Sequence, residues 1–228
     1  MRVTMCIRML AAASIPALVL VTGTVAAQPN ETATLPEVKV GDAWVLQGAD
    51  TDVRNFKVTE WKVRREVTMV EGTVASYAAQ NLPPSKPGEG KGRYDFASQV
   101  RLRDLQSGKQ EPTRFPLGIG NEWKYDYAVK GSLGVVQYAM KAKVVGWEEV
   151  TVPAGKFRAL RVEHEGVWSR DRDFSERMTG AASAAVSATY WYAPAAKTVV
   201  KIRWVESSSF GGESFRSESE LVEFQPGK

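Results

Sequence analysis

The chain carries one histidine, His164, set between two carboxylates in Arg161-Val162-Glu163-His164-Glu165. Histidine beside a carboxylate is a common arrangement for general acid–base work. On an extended strand successive side chains point to opposite faces. Glu163 and Glu165 then share one face, and His164 lines up with Leu160, Val162 and Trp168 on the other. That pattern points to a histidine held in a core or a cavity. One histidine and a single cysteine, Cys6, are too few nitrogen and sulfur ligands for a zinc site, so no metal and no cofactor is expected. A serine triad would have to use His164, and the chain has no Gly-x-Ser-x-Gly elbow; Ser207-Ser208-Ser209 before Phe210-Gly211-Gly212 reads as a flexible turn. Glu148 and Glu149 are adjacent at a strand edge and face different ways, unlike a glycosidase pair. No phosphate-binding glycine loop and no dinucleotide fingerprint is present. No catalytic residue is expected, and a hydrolase of envelope polymers ranks third among the functional readings.

Two features are less ordinary. Arg65 interrupts the apolar row Trp61, Val63, Val67 and Met69, where an inward charge needs a partner or a polar cavity. All seven tryptophans fall after residue 40, and five of them, Trp61, Trp123, Trp168, Trp191 and Trp204, lie on expected strands. They make either a large β-core or an aromatic-lined cavity. If a ligand is bound, the concave face is expected to present Trp61, Arg65, Trp123, Tyr125, Tyr138 and His164.

The elements that must position these residues are strands. From Thr59 to Met69 the residues Thr59, Trp61, Val63, Arg65, Val67 and Met69 alternate with Glu60, Lys62, Arg64, Glu66 and Thr68. Trp123, Tyr125, Tyr127 and Val129 form a second row, Val136 to Val144 a third, and Val200, Ile202 and Trp204 a fourth. Further strands are expected around Ala43–Gln47, Tyr94–Leu105, Lys156–Trp168, Ala188–Tyr192 and Ser214–Phe224. The predicted fold is all-β, a single antiparallel barrel or strongly curved sheet of about ten strands. The best helix candidate, Ala181–Ala188, reads equally well as strand or loop. Turns fall at Gly131-Ser132, Pro153-Ala154-Gly155 and Ala193–Ala196. Asn81–Gly92, with three prolines and three glycines, is expected to be a flexible surface loop. The alternating charges of Arg170–Asp173 read as a solvated connection. Val40-Gly41-Asp42-Ala43-Trp44 echoes Ile119-Gly120-Asn121-Glu122-Trp123, an echo that either records a duplication or arises by chance.

Arg2 and Arg8, an apolar stretch from Met9 to Val21 and Val25-Ala26-Ala27 have the form of a secretory signal cut near Ala27. Removing 27 of the 228 residues leaves 201, a single domain over 28–228 without cysteine. It also leaves 28 basic against 26 acidic residues, a net charge of +2, which does not describe a nucleic-acid binder. No membrane-spanning segment is expected in the mature chain.

Phe115-Pro116-Leu117-Gly118-Ile119-Gly120-Asn121-Glu122-Trp123-Lys124-Tyr125, Val150-Thr151-Val152-Pro153-Ala154-Gly155-Lys156-Phe157 and Tyr190-Trp191-Tyr192-Ala193-Pro194 follow in that order. Together they resemble a broad group of exported bacterial β-proteins of unknown function, several with lipoprotein signals. Those proteins share "PL..G..W.Y", "VPAG.F" and "YWYAP" motifs, here within residues 115–205. The resemblance implies an envelope location, periplasmic or secreted, and a barrel-like or strongly curved antiparallel sheet. It transfers no catalytic residue. The leading expectation is a non-enzymatic binding or carrier protein for a lipid-like or other apolar ligand. The alternative is a structural or assembly partner of an envelope protein.

Overall fold

The computed structural model describes residues 31–102, 105–131, 134–170, 183–208 and 211–228. The signal expected over 1–27, the charged run beyond Arg170, and parts of the turns at Ser132 and Ser209-Phe210 lie outside the described residues. Fourteen strands follow in order: β1 (Thr32–Ala33), β2 (Ala43–Asp52), β3 (Lys57–Glu71), β4 (Val74–Leu82), β5 (Glu89–Asp95), β6 (Val100–Arg101) and β7 (Leu105–Gly108), then β8 (Leu117–Gly118), β9 (Glu122–Gly131), β10 (Gly134–Val152), β11 (Gly155–Arg170), β12 (Ser183–Ala193), β13 (Thr198–Ser207) and β14 (Glu213–Gln225). A short 3-10 turn at Pro194–Ala196 is the only helical element among the described residues.

Twelve strands form one antiparallel sheet in the order β6-β5-β4-β3-β2-β14-β13-β12-β11-β10-β9-β7, and β1 pairs with β8 beside it. Among the described residues the sheet is open, because β6 and β7 are its two edges and do not pair with each other. The all-β antiparallel reading holds, and the barrel is corrected to an unclosed sheet. Laid flat, twelve strands would span roughly 50 Å at ~4.8 Å per strand. Yet β6 ends at Arg101 and β7 starts at Leu105, and so short a link reaches at most about 14 Å. The sheet must therefore roll until its edges approach, leaving a seam without ladder hydrogen bonds.

The two Gly-polar-x-Trp segments are built alike. Gly41 and Gly120 have φ of +88° and +86°, a region open to glycine because it lacks a Cβ. Gly41 N–H donates to the Val67 carbonyl at 2.9 Å, and Val67 N–H donates to the Asp42 carbonyl at 2.9 Å. Gly120 N–H donates to the Val144 carbonyl and Val144 N–H to the Asn121 carbonyl, both again at 2.9 Å. Just beyond each valine the strand slips register against its next neighbour, between Val67 and Met69 and between Val144 and Gly146. Thus β2–β3–β4 and β9–β10–β11 are two meanders of one design, and each bulge adds twist and bend that help the sheet roll.

Several expectations need correction. The Asn81–Gly92 loop shrinks to a turn, since Asn81 and Leu82 end β4 and Glu89–Gly92 belong to β5, with Gly90 paired to Ala79 and Gly92 to Tyr77. Within the helix candidate, Ser183–Ala188 is strand, with its buried residues alternating as β12 packs on the core. Tyr94–Leu105 is not one strand: the chain turns at Asp95, where Ser98 and the Ala97 N–H bond to the Asp95 carboxylate. Met69 leaves the inward row, because the bulge after Val67 turns it outward to 46% exposure. The Pro153-Ala154 turn is as expected: Val152 pairs with Gly155, and Phe157 returns opposite Val150.

At the tip of the β2–β3 hairpin, Phe56 is 90% exposed with φ of +52°. An L-residue there costs about 1–2 kcal/mol against an extended or right-handed conformation. Phe56→Gly is therefore expected to stabilise by up to about 1 kcal/mol after the added freedom of the unfolded chain is counted. A urea midpoint that falls or stays unchanged would contradict this.

Candidate functional site

One end of the roll is filled. Trp44, Phe96 and Tyr94 pack together, with ring centroids 5.5 Å apart for Trp44–Phe96 and 4.8 Å for Tyr94–Phe96. Gln99 ties this closure to β13, its carbonyl oxygen accepting from the Thr198 hydroxyl and the Val199 N–H at 3.2 Å each. Further along the same segment, the Glu111 carbonyl accepts from the Trp123 indole at 2.8 Å, and Phe115 stands edge-on to Tyr192 at 4.9 Å. The segment between β5 and β9 thus folds across the end of the roll.

Towards the β2–β3 and β13–β14 hairpins the interior is open, with a cavity of about 780 Å³, within the usual range for small-molecule sites. Its wall draws on β2, β3, β4, β5, β6, β9, β10, β12, β13 and β14. The apolar and aromatic part includes Leu46, Trp61, Val63, Tyr138, Ile202 and Trp204. Trp61 packs against Gly48, where a Cβ would stand 2.6 Å from the indole ring, so the missing side chain makes room for it. Glu206 reaches the same wall and accepts hydrogen bonds from the Tyr138 hydroxyl and the Trp204 indole at 3.1 Å each. Arg65 also lines the cavity, its guanidinium 5.5 Å from the centre of the Tyr77 ring. Tyr94 lies beneath. Burial pushes its hydroxyl up to about 12, and the nearby Arg65 charge offsets part of that rise.

Of the six residues expected on the concave face, Trp61, Arg65 and Tyr138 line the cavity. Trp123, Tyr125 and His164 do not: they belong to the packed core around Leu160, Val162 and Tyr190. His164 is 1% exposed, flanked in the ladder by Ala142 and Ala188, whose small side chains leave space for its ring. Nδ1 is 3.1 Å from the Tyr125 hydroxyl, and the Trp123, Tyr125 and Tyr190 rings surround it edge-on. Burial lowers its pKa to about 3, and burial raises that of Tyr125 well above the usual phenol value. A neutral imidazole enclosed by aromatic rings is a packing element here. Sequence reasoning missed Tyr77, which the small-aromatic-small alternation Ala75-Tyr77-Ala79 could have revealed, and Tyr190, which shares the face of Ala188 and Tyr192 in its strand. Among the described residues no group of three metal-ligating side chains gathers anywhere.

Solved structures share this architecture. A provisionally described lipoprotein from Parabacteroides distasonis matches with a TM-score of 0.50 at 13% identity, over 86% of this chain and 100% of that one. A provisionally described exported protein with a YmcC-like fold from Bacteroides fragilis gives 0.49 at 14% identity, over 85% and 99%. The hypothetical lipoprotein YmcC from Escherichia coli gives 0.43 at 10% identity, over 82% and 85%. No protein-family profile and no curated protein matches the chain. At such identities the likeness is one of fold.

Proposed function

We propose that the protein is an exported envelope protein that binds or carries a lipid-like or other apolar ligand inside the rolled sheet. The observation that carries this reading is the cavity of about 780 Å³ with Trp61, Tyr138, Ile202 and Trp204 in its wall. Aromatic and aliphatic walls favour apolar ligands because burial removes roughly 25 cal/mol of unfavourable hydration per Å². The envelope location rests on the signal-like amino terminus and on the resemblance of the "PL..G..W.Y", "VPAG.F" and "YWYAP" segments to exported β-proteins. The fold shared with provisionally described exported proteins and lipoproteins agrees with it.

Native mass spectrometry and solvent extraction of the purified protein test the reading, together with titration of the delipidated protein with N-phenyl-1-naphthylamine. A co-purifying small molecule, or probe binding that the extract displaces, is expected. A protein that yields no extractable ligand and binds no probe would overturn the proposal. Ala79 stands opposite Arg65 on the cavity wall. Ala79→Trp puts a large ring into open space and not into a packed core, so overpacking should be slight. Probe affinity is expected to fall at least about tenfold, or roughly 1.4 kcal/mol, with the melting temperature within a few degrees of the parent. Unchanged affinity would place binding elsewhere.

A further inference from the structure

The cavity is not uniformly apolar, and its polarity is segregated. Arg65 on β3 and Arg101 on β6 lie on one side of the lining, with the Tyr77 and Tyr94 phenols beside Arg65. Across the cavity, the β10 and β13 wall presents Tyr138, Ile202 and Trp204. Four acidic groups also reach the lining: Glu206 on β13 is held by Tyr138 and Trp204, Asp50 on β2 accepts from the Ser217 hydroxyl at 2.6 Å, Glu220 on β14 pairs with Lys201 at 2.7 Å, and Glu89 is an exposed residue at the start of β5. A negative charge is thus attracted at the Arg65 side and repelled from the Glu206 side.

We infer that the ligand is an amphiphile with a small anionic head group, a carboxylate or a phosphate monoester, which sits against Arg65 and Tyr77 while its apolar tail runs along Trp61, Ile202 and Trp204. This inference rests on the cavity being the binding site. A guanidinium carries five donors in a planar fork, so it can grip two oxygens of one head group while its other edge keeps its protein contacts. The Tyr77 hydroxyl reaches over Gly92, where a Cβ would come within 2.3 Å of it, so the glycine is what allows the phenol to stand beside Arg65. Between protein walls the attraction between guanidinium and oxyanion is stronger than at a fully exposed site. An uncharged amphiphile of the same length gains the tail contacts only.

Titration of the delipidated full-length mature protein with oleate, oleyl phosphate and oleyl alcohol, each below its aggregation concentration, tests this by intrinsic tryptophan fluorescence. At least one anion should bind about tenfold or more tighter than the alcohol, the scale of one charge-assisted contact, and the tighter of the two identifies the head group. Arg65→Met should erase that preference, bringing the anions to the affinity of the alcohol measured in the same variant, whereas Arg65→Lys should retain part of it. Equal binding of alcohol and both anions by the parent protein overturns the inference and leaves the carrier reading standing. A preference that persists in Arg65→Met overturns it as well. Failure of all three to bind also overturns the inference, and the carrier reading then stands or falls on N-phenyl-1-naphthylamine binding and the solvent extract. Should Arg65→Met not fold, the comparison within the parent protein still decides.

Discussion

Acidification from pH 6.5 to 4.5 is expected to remove about 2–3 kcal/mol of folding stability through His164 alone. The ordinary histidine pKa is 6.5, and burial lowers that of His164 to about 3. Below pH 6.5 the unfolded chain takes up a proton at this site, whereas the folded chain takes one up only near pH 3. The unfolded state therefore holds more protons across that window, and stability falls as pH falls, by about 1.4 kcal/mol per unit. The groups facing the ring are Trp123, Tyr125 and Tyr190, and none supplies a negative charge to receive the imidazolium, because burial keeps the Tyr125 hydroxyl protonated. His164→Gln keeps a partner for the Tyr125 hydroxyl and does not titrate. Urea unfolding of both proteins at pH 6.5, 5.5 and 4.5 isolates the effect as a difference in slope. Identical slopes would show that His164 is solvated in the folded state.

The same residue shows how far the sequence could be read. Its face was legible, because alternation along Leu160, Val162 and His164 puts all three on the buried side of β11, and all three are buried. Its depth was not. Ladder pairing joins Trp123, Ala142, His164, Ala188 and Trp204 in one row across the sheet, yet Trp204 lines the cavity and His164 lies in the core. Strands of a rolled sheet tilt against its axis, so one row passes from the filled end to the open end. Tilt depends on how all twelve strands stagger, which no single strand's pattern records. The closing segment after Asp95 was also hidden, because its order comes from distant partners such as Gln99 with Thr198. Arg65, by contrast, was legible from its row alone, and it faces the cavity as the alternation requires.

Loss of the Asp42 carboxylate is expected to be among the most damaging single changes, at about 3 kcal/mol for Asp42→Ala. Asp42 is 0% exposed and ties the start of β2 to two remote parts of the chain. Its carboxylate accepts from Lys39 N–H at 2.8 Å, from Gly227 N–H at 2.7 Å and from Lys197 Nζ at 2.8 and 3.2 Å. Burial alone would raise its pKa, but the hydrogen bonds from Lys197, Gly227 and Lys39 outweigh that and hold it below the ordinary value of 3.8. Its contribution is thus present above about pH 4 and lost only as pH falls through the lowered folded value, below most of the His164 window. Removing the side chain leaves two backbone donors and a half-buried ammonium without their acceptor, which costs more than the pair itself contributes. Asn121 supplies the control, because it occupies the matching place in the second meander. It is exposed, and its amide donates once, to the Pro116 carbonyl at 3.1 Å. Asn121→Ala should cost no more than about 1 kcal/mol. Denaturant unfolding at pH 7 compares the two, and similar losses would mean that the shared turn, not the buried carboxylate, carries the stability.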